Sequence, residues 1–175
     1  MAHSDEVSAA DVDTFFLLQG AVLVFFMQAG FAMLEVGSIN VLNLRVSTET
    51  ILIKNMMDVS LGAVCWWVLG YGFAYGDSRG SDGFVGASNF FLRTRNFDDD
   101  SDDDGDDSGS GYPYAEWLMS WAFAATSATI VSGAVAERCT AVAYMTYTIC
   151  LTALVYPVLA CWVWNADGWL NPARA

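Results

Sequence analysis

Four long runs of apolar residues, separated by two short polar turns and one long acidic stretch, organise the chain. They cover about 14–37 (Thr14 to Gly37), 51–76 (Ile51 to Gly76), 115–136 and 141–164 (Ala141 to Trp164). A helix rises 1.5 Å per residue, so about 20 residues cross the roughly 30 Å hydrocarbon core of a bilayer. Each run meets that length, and the pattern predicts an all-α membrane protein with four transmembrane helices. A polar tail precedes them at 1–13, and an acidic loop over 77–113 joins the second to the third.

The third run is built differently from the others. No charge stands between Glu116 and Glu137, and its second half is made of Ala, Thr, Ser and Gly, with Ala125, Thr129 and Gly133 repeating every four residues. Small residues at that spacing let helix backbones approach closely and let hydroxyls bond across the contact, so this helix is expected inside a bundle. Its large residues, Trp117, Trp121 and Phe123, gather in the first half, where they are expected to line a vestibule.

The other runs carry a few polar groups, and these are costly in hydrocarbon unless covered by protein or water. The first holds Gln19, Gln28 and Glu35. One face of that helix is therefore expected to be covered by neighbours. Glu35 is read as an interfacial carboxylate or as a buried, partnered structural one. In the second run Lys54 and Asp58 are four apart on one helical face, which predicts a structural ion pair near the interface, with a transport site as the alternative. Pro157 in the fourth run removes a backbone hydrogen bond and predicts a kink.

Composition agrees with the class: 55% of residues are hydrophobic and 15% charged, against about a quarter charged in soluble domains. The net charge of −13 is concentrated, with ten Asp against three Arg between Asp77 and Pro113, a local sum of −7. Nucleic-acid binding needs basic patches, so none is expected. Asp100, Asp102, Asp104 and Gly105 fit the first half of a calcium loop, but Gly111 stands where a bidentate Glu is needed. A self-repelling, disordered loop is the simpler expectation. Cys65, Cys139, Cys150 and Cys161 lie in or beside apolar runs with no metal-ligand spacing, and read as buried hydrophobes. The single histidine, His3, lies in the polar tail, so no histidine-based catalytic pair or multi-histidine metal site is expected. The N-terminus lacks the basic region of a signal peptide, and no cleavage is expected. Four spans place both short turns on one side and the acidic loop with both termini on the other. Lys and Arg barely separate the two sides; discounting the long loop places the short turns in the cytoplasm.

Several strings resemble the ammonium transporter family (Amt/Mep/Rh): Phe26-Met27-Gln28-Ala29-Gly30-Phe31-Ala32-Met33-Leu34-Glu35-Val36-Gly37, Leu52-Ile53-Lys54-Asn55, Gly70-Tyr71-Gly72-Phe73-Ala74, Trp121-Ala122-Phe123-Ala124, Ile130 to Arg138, Val155-Tyr156-Pro157, Trp162-Val163-Trp164 and Gly168-Trp169-Leu170. The resemblance implies the first part of an eleven-helix fold in the plasma membrane, assembled as a homotrimer, with an extracellular N-terminus and a narrow pore in each subunit. It implies ammonium or ammonia as the transported species and a lipid bilayer as the surroundings, with no cofactor and no enzyme activity expected. An N-terminal fragment, stopping before the fifth helix, is the expectation for a chain of this length.

By its place in the motif, Phe123 resembles the phenylalanine closing the outer vestibule, and Trp164 the tryptophan of an external recruitment site. From the residues alone, Phe123 reads as core packing and Trp164 as part of an interfacial aromatic belt. The family's histidine pair, and the serine and aspartate that support its outer site, belong to later helices. Two departures bear on the polarity of the outer mouth: Cys161 where the family usually has His, and Ser120 where Gln is common. A non-conducting sensor or membrane interaction module of the same fold is the competing reading.

Overall fold

A computed structural model describes residues 9–38, 47–77, 84–93, 112–135 and 138–171. The start of the polar tail, Arg45, the Asp98 to Asp107 run with its calcium-loop motif, Glu137 and Arg174 lie outside the described residues. Regular structure among the described residues is helical: α1 (Ala9–Ser38), α2 (Thr48–Tyr75), α3 (Tyr112–Val135) and α4 (Ala141–Trp164), with a 3₁₀ turn at Phe90–Leu92. All four long helices have the length and apolar character to cross a membrane.

Local chemistry sets their ends. Helix α1 starts at Ala9, ahead of the expected Thr14, with Asp11 in its first turn where the helix dipole favours an acid. The Thr50 N–H donates to the Ser47 hydroxyl at 3.3 Å, capping α2, and the Ala143 N–H donates to Thr140 at 3.4 Å, capping α4. Pro113 occupies the first turn of α3, where its missing N–H has no helical partner to lose.

Helix α1 packs chiefly along α3 and runs the same way, since Gly20 faces Met119 and Gln28 faces Thr126 further along both. Helices α2 and α4 run in the opposite direction, paired through Asp58 with Thr148 and Gly62 with Thr152. The short turns thus share one end of the bundle, and the ends of α2 and α4 share the other with the start of α3.

The kink expected from Pro157 takes the form of a widened turn. In a regular helix the proline ring would press on the Ala153 carbonyl; instead the backbone opens into a π-turn at Leu151–Val155, where the Tyr156 N–H reaches back to the Leu151 carbonyl. A second π-turn, at Trp66–Gly70, lies opposite in α2 without any proline, and the Tyr71 N–H bonds the Trp66 carbonyl. The two turns touch at Gly70. A Cβ there would press on the Trp66 ring and stand 2.9 Å from the Thr152 carbonyl oxygen, so only a hydrogen fits.

Part of the stretch expected to be a loose loop is packed down. Residues 84–93 form a strap over the end of α2: Gly86 N–H donates to the Phe73 carbonyl at 3.0 Å, Phe90 meets Phe73 at 5.2 Å, and Phe91 meets Trp67 at 5.5 Å. Aromatic side chains between the acidic residues account for this, because they bury apolar area that an all-polar loop lacks. Gly86 lets the strap lie on the backbone of α2, since a Cβ would stand 2.8 Å from the Gly76 nitrogen.

Gly70→Ala should separate the two π-turns and destabilise the chain by about 1–3 kcal/mol, the usual penalty for overpacking. Thermal unfolding followed by helical circular dichroism in detergent micelles measures it; an unshifted midpoint would show that the turns are not in close contact.

Candidate functional site

A buried polar chain crosses the centre of the bundle and uses all four helices. Thr148 of α4 donates to Asp58 Oδ1 at 2.6 Å, and Gln28 Nε2 of α1 donates to the Thr126 hydroxyl of α3 at 2.8 Å. Between them, the Thr129 hydroxyl lies 2.7 Å from Gln28 Oε1, 2.9 Å from the Ala125 carbonyl and 3.3 Å from Asp58 Oδ2. One hydroxyl carries one proton, so Thr129 serves these acceptors in turn. Asp58 is 2% exposed.

Lys54 and Asp58 do not form the expected ion pair. The Lys54 ammonium donates to the Cys139 carbonyl at 2.9 Å and stands 5.8 Å from the centre of the Tyr144 ring, while Asp58 turns inward to the two threonines. The i, i+4 spacing puts both residues on one face. The long lysine stem then carries its charge to the connection between α3 and α4, at the end of α3 where the helix dipole favours a cation. Glu35 is buried, at 6% exposed, and partnered: its Oε2 accepts from Asn55 Nδ2 at 3.0 Å, while Oε1 has no partner among the described residues. The Tyr144 hydroxyl donates to Ser132 at 2.9 Å, completing the polar contacts at this end.

At the other end the aromatic residues of α3 divide between two faces. Trp117 and Trp121 stack at 6.2 Å and pack into the bundle, with Trp121 also 5.4 Å from Phe25. They do not share an open vestibule with Phe123. That ring is 43% exposed, on a face continued by Ile130 and Val131, near the middle of α3. Trp164 is 69% exposed at the last residue of α4. Phe123 stands eleven residues into α3, about 17 Å below its start at 1.5 Å per residue, and the start of α3 shares an end with Trp164. Trp164 stands at that end of the bundle and Phe123 near mid-helix, so the two rings lie at different depths.

The two departures point inward. Ser120 is buried and donates to the Trp117 carbonyl at 3.0 Å, and Cys161 is buried in α4. Of the small-residue stripe, Ala125 and Thr129 are buried, whereas Gly133 faces open space. Thr148 and Asn165 were not singled out in the sequence, and Asn55 only as part of the string Leu52-Ile53-Lys54-Asn55. Asn165 carried a signal as the first polar residue after an apolar run, and Asn55 as an amide inside one.

Residues 15–175 match the sequence profile of the Ammonium Transporter Family. The chain belongs to that family. It is 40% identical to ammonium transporter 3 of Dictyostelium discoideum over 91% of its own length and 32% of that protein. To ammonium transporter 1 member 3 of Solanum lycopersicum it is 39% identical over 98% of its length and 34% of that protein. Among solved structures it resembles a sensor Amt protein, with a TM-score of 0.74 at 26% identity, covering 89% of this chain and 34% of the other. The fold is also that of Saccharomyces cerevisiae Mep2, with a TM-score of 0.69 at 22% identity over 90% of this chain and 32% of that one. The chain spans 32% and 34% of the length of these two curated relatives.

In this member of the Ammonium Transporter Family, Asp58→Ala should strand the Thr148 hydroxyl and destabilise the bundle by about 1–3 kcal/mol, whereas Asp58→Asn, which keeps an acceptor, should cost less. Thermal melts of the two variants in micelles compare them. Parent-like stability of Asp58→Ala would show that the polar chain does not hold the helices.

Proposed function

We propose that this segment forms the first four helices and part of the outer mouth of a plasma-membrane ammonium transporter. Membership of the family, with Trp164 left open at the acidic-loop end and Phe123 open further along α3, supports the reading. Trp164 meets an arriving ammonium with its ring face, an attraction of about 0.5–2 kcal/mol that grows as water is excluded. That term alone attracts potassium equally; ammonium differs by its N–H donors and by being able to lose a proton. Phe123 closes the path beneath, where a bare charge costs several kcal/mol and neutral ammonia does not. The species crossing the narrow hydrophobic pore is then ammonia, alone or with a separately transferred proton.

The open faces fit a larger assembly in lipid. Phe15, Phe16, Phe26, Met33 and Leu34 of α1 are exposed, as are Ile130 and Val142. In the proposed protein, lipid, further helices and neighbouring subunits of a homotrimer cover them. The short turns face the cytoplasm and the N-terminus lies outside. The names of the curated relatives favour transport over a purely sensing role.

The test is ammonium uptake by cells lacking their own ammonium transporters, expressing either this chain alone or this chain joined to the remaining helices of the tomato relative. Uptake by the joined chain is expected; none, with the protein in the plasma membrane, would refute the reading. In the joined chain Trp164→Leu should raise the half-saturating ammonium concentration roughly 2- to 30-fold, the range that the ring-face attraction spans. Phe123→Ala should change the maximal rate or the discrimination against potassium and methylammonium. Parent-like behaviour of both variants would remove these two residues from the site.

A further inference from the structure

We infer that Asn165 is the positioning residue of the outer ammonium site, acting through the backbone of Trp164. The inference rests on the recruitment role proposed for that tryptophan. Trp164 has a free ring on a fixed stem. Its own side chain is largely exposed, while residues on both sides of it are anchored to parts of the chain distant in sequence.

On the far side, Asn165 is 9% exposed. Its Nδ2 donates to the Ala74 carbonyl at 3.1 Å and the Gly76 carbonyl at 3.2 Å, both at the end of α2. Its Oδ1 accepts from the Asp167 N–H at 3.0 Å. Its own carbonyl accepts from the Gly168 N–H at 2.9 Å and from Asn171 Nδ2 at 2.8 Å. Both amide hydrogens, the amide oxygen and the backbone oxygen are thus engaged, which is near the limit of what an asparagine can form. On the near side, the Trp162 indole N–H donates to the Phe84 carbonyl at 2.8 Å, and its ring meets Phe84 at 5.1 Å and Trp169 at 5.6 Å.

These contacts join the ends of α2 and α4 and the strap between them into one frame. The last turn of α4 cannot rotate without breaking bonds to Ala74, Gly76 and Phe84. A ring-face attraction is short-ranged and depends on the angle at which the cation meets the ring, and small misplacements at a binding site carry large costs. A helix end that frayed freely, as unanchored ends do, would present the indole at many angles. Asn165 removes that freedom while leaving the ring open.

An anchor that serves folding alone lowers the amount of active transporter and leaves the half-saturating concentration unchanged. A positioning residue moves that concentration. The test uses the joined chain in transporter-deficient cells, with uptake per transporter normalised to its surface abundance. Asn165→Asp keeps the size and the acceptor for Asp167 but sets a carboxylate against two carbonyls; Trp162→Phe keeps the ring and removes one donor. Both should raise the half-saturating ammonium concentration, Asn165→Asp by about threefold or more, with the normalised maximal rate held. Trp164→Leu is run beside them. If it raises the concentration and neither anchor variant does, the positioning role is overturned and the recruitment role stands. If Trp164→Leu itself changes nothing, both fall. Should Asn165→Asp fail to reach the surface, Trp162→Phe decides by the same criterion.

Discussion

The structure depends on a chain of hydrogen bonds that cannot be made by any one helix. Inside a bilayer the lipid tails are as apolar as the helix faces, so burying hydrocarbon gives four helices no reason to prefer one another. Gln28, Asp58, Thr126, Thr129 and Thr148 supply that reason. Each has a partner on a different helix, and each would stand in hydrocarbon without one. Measured bonds of this kind between membrane helices are individually modest, averaging about 0.6 kcal/mol in one well-studied protein. Their value here lies in register, because a helix that slides or turns leaves a carboxylate or an amide without a donor.

Helix α3 makes the arrangement possible. Its alanines bring α1 and α2 close, so that the short threonine side chains reach across. Larger residues at these positions would hold the backbones apart and leave Asp58 beyond the reach of Thr129. The same helix changes character toward the end it shares with Trp164, where Trp117 and Trp121 replace hydrogen bonds with stacked rings. Beyond the polar chain at the centre, the end that carries the exposed Trp164 is ordered by aromatic packing together with the hydrogen bonds of Asn165 and Trp162.

Much of this was legible. Four apolar runs gave four helices, the tract of small residues marked the one most enclosed, and Gln28 in the first run signalled a covered face. What escaped was the direction in which side chains turn. Lys54 and Asp58 have the spacing of an ion pair, yet the lysine has four methylenes and a nearby helix end to reach, while the aspartate has two threonines. Spacing specifies a face and says nothing of rival partners elsewhere. Glu35 was undecided for the same reason, since its partner Asn55 is on another helix. Phe123, Trp117 and Trp121 are close in sequence but fall on different faces of a helix that advances 100° per residue. The strap over 84–93 was hidden by the charge of the surrounding residues, which outweighs its three phenylalanines in any average.

The facing π-turns are a further consequence of this geometry. A π-turn is in effect one residue inserted into an α-helix, and each residue of helix carries about 100° of rotation. The wide turn takes up that residue locally, since its i→i+5 bond spans about the rotation and rise that an i→i+4 bond spans in an α-helix. The helix beyond Gly70 thereby keeps the phase that sets the carbonyls of Ala74 and Gly76 against Asn165, and Phe73 against the strap. A one-residue deletion within the turn would be taken up by closing it, whereas one elsewhere in α2, left unabsorbed, would swing the end of the helix by about 100° and be felt beside Trp164, not where it was made.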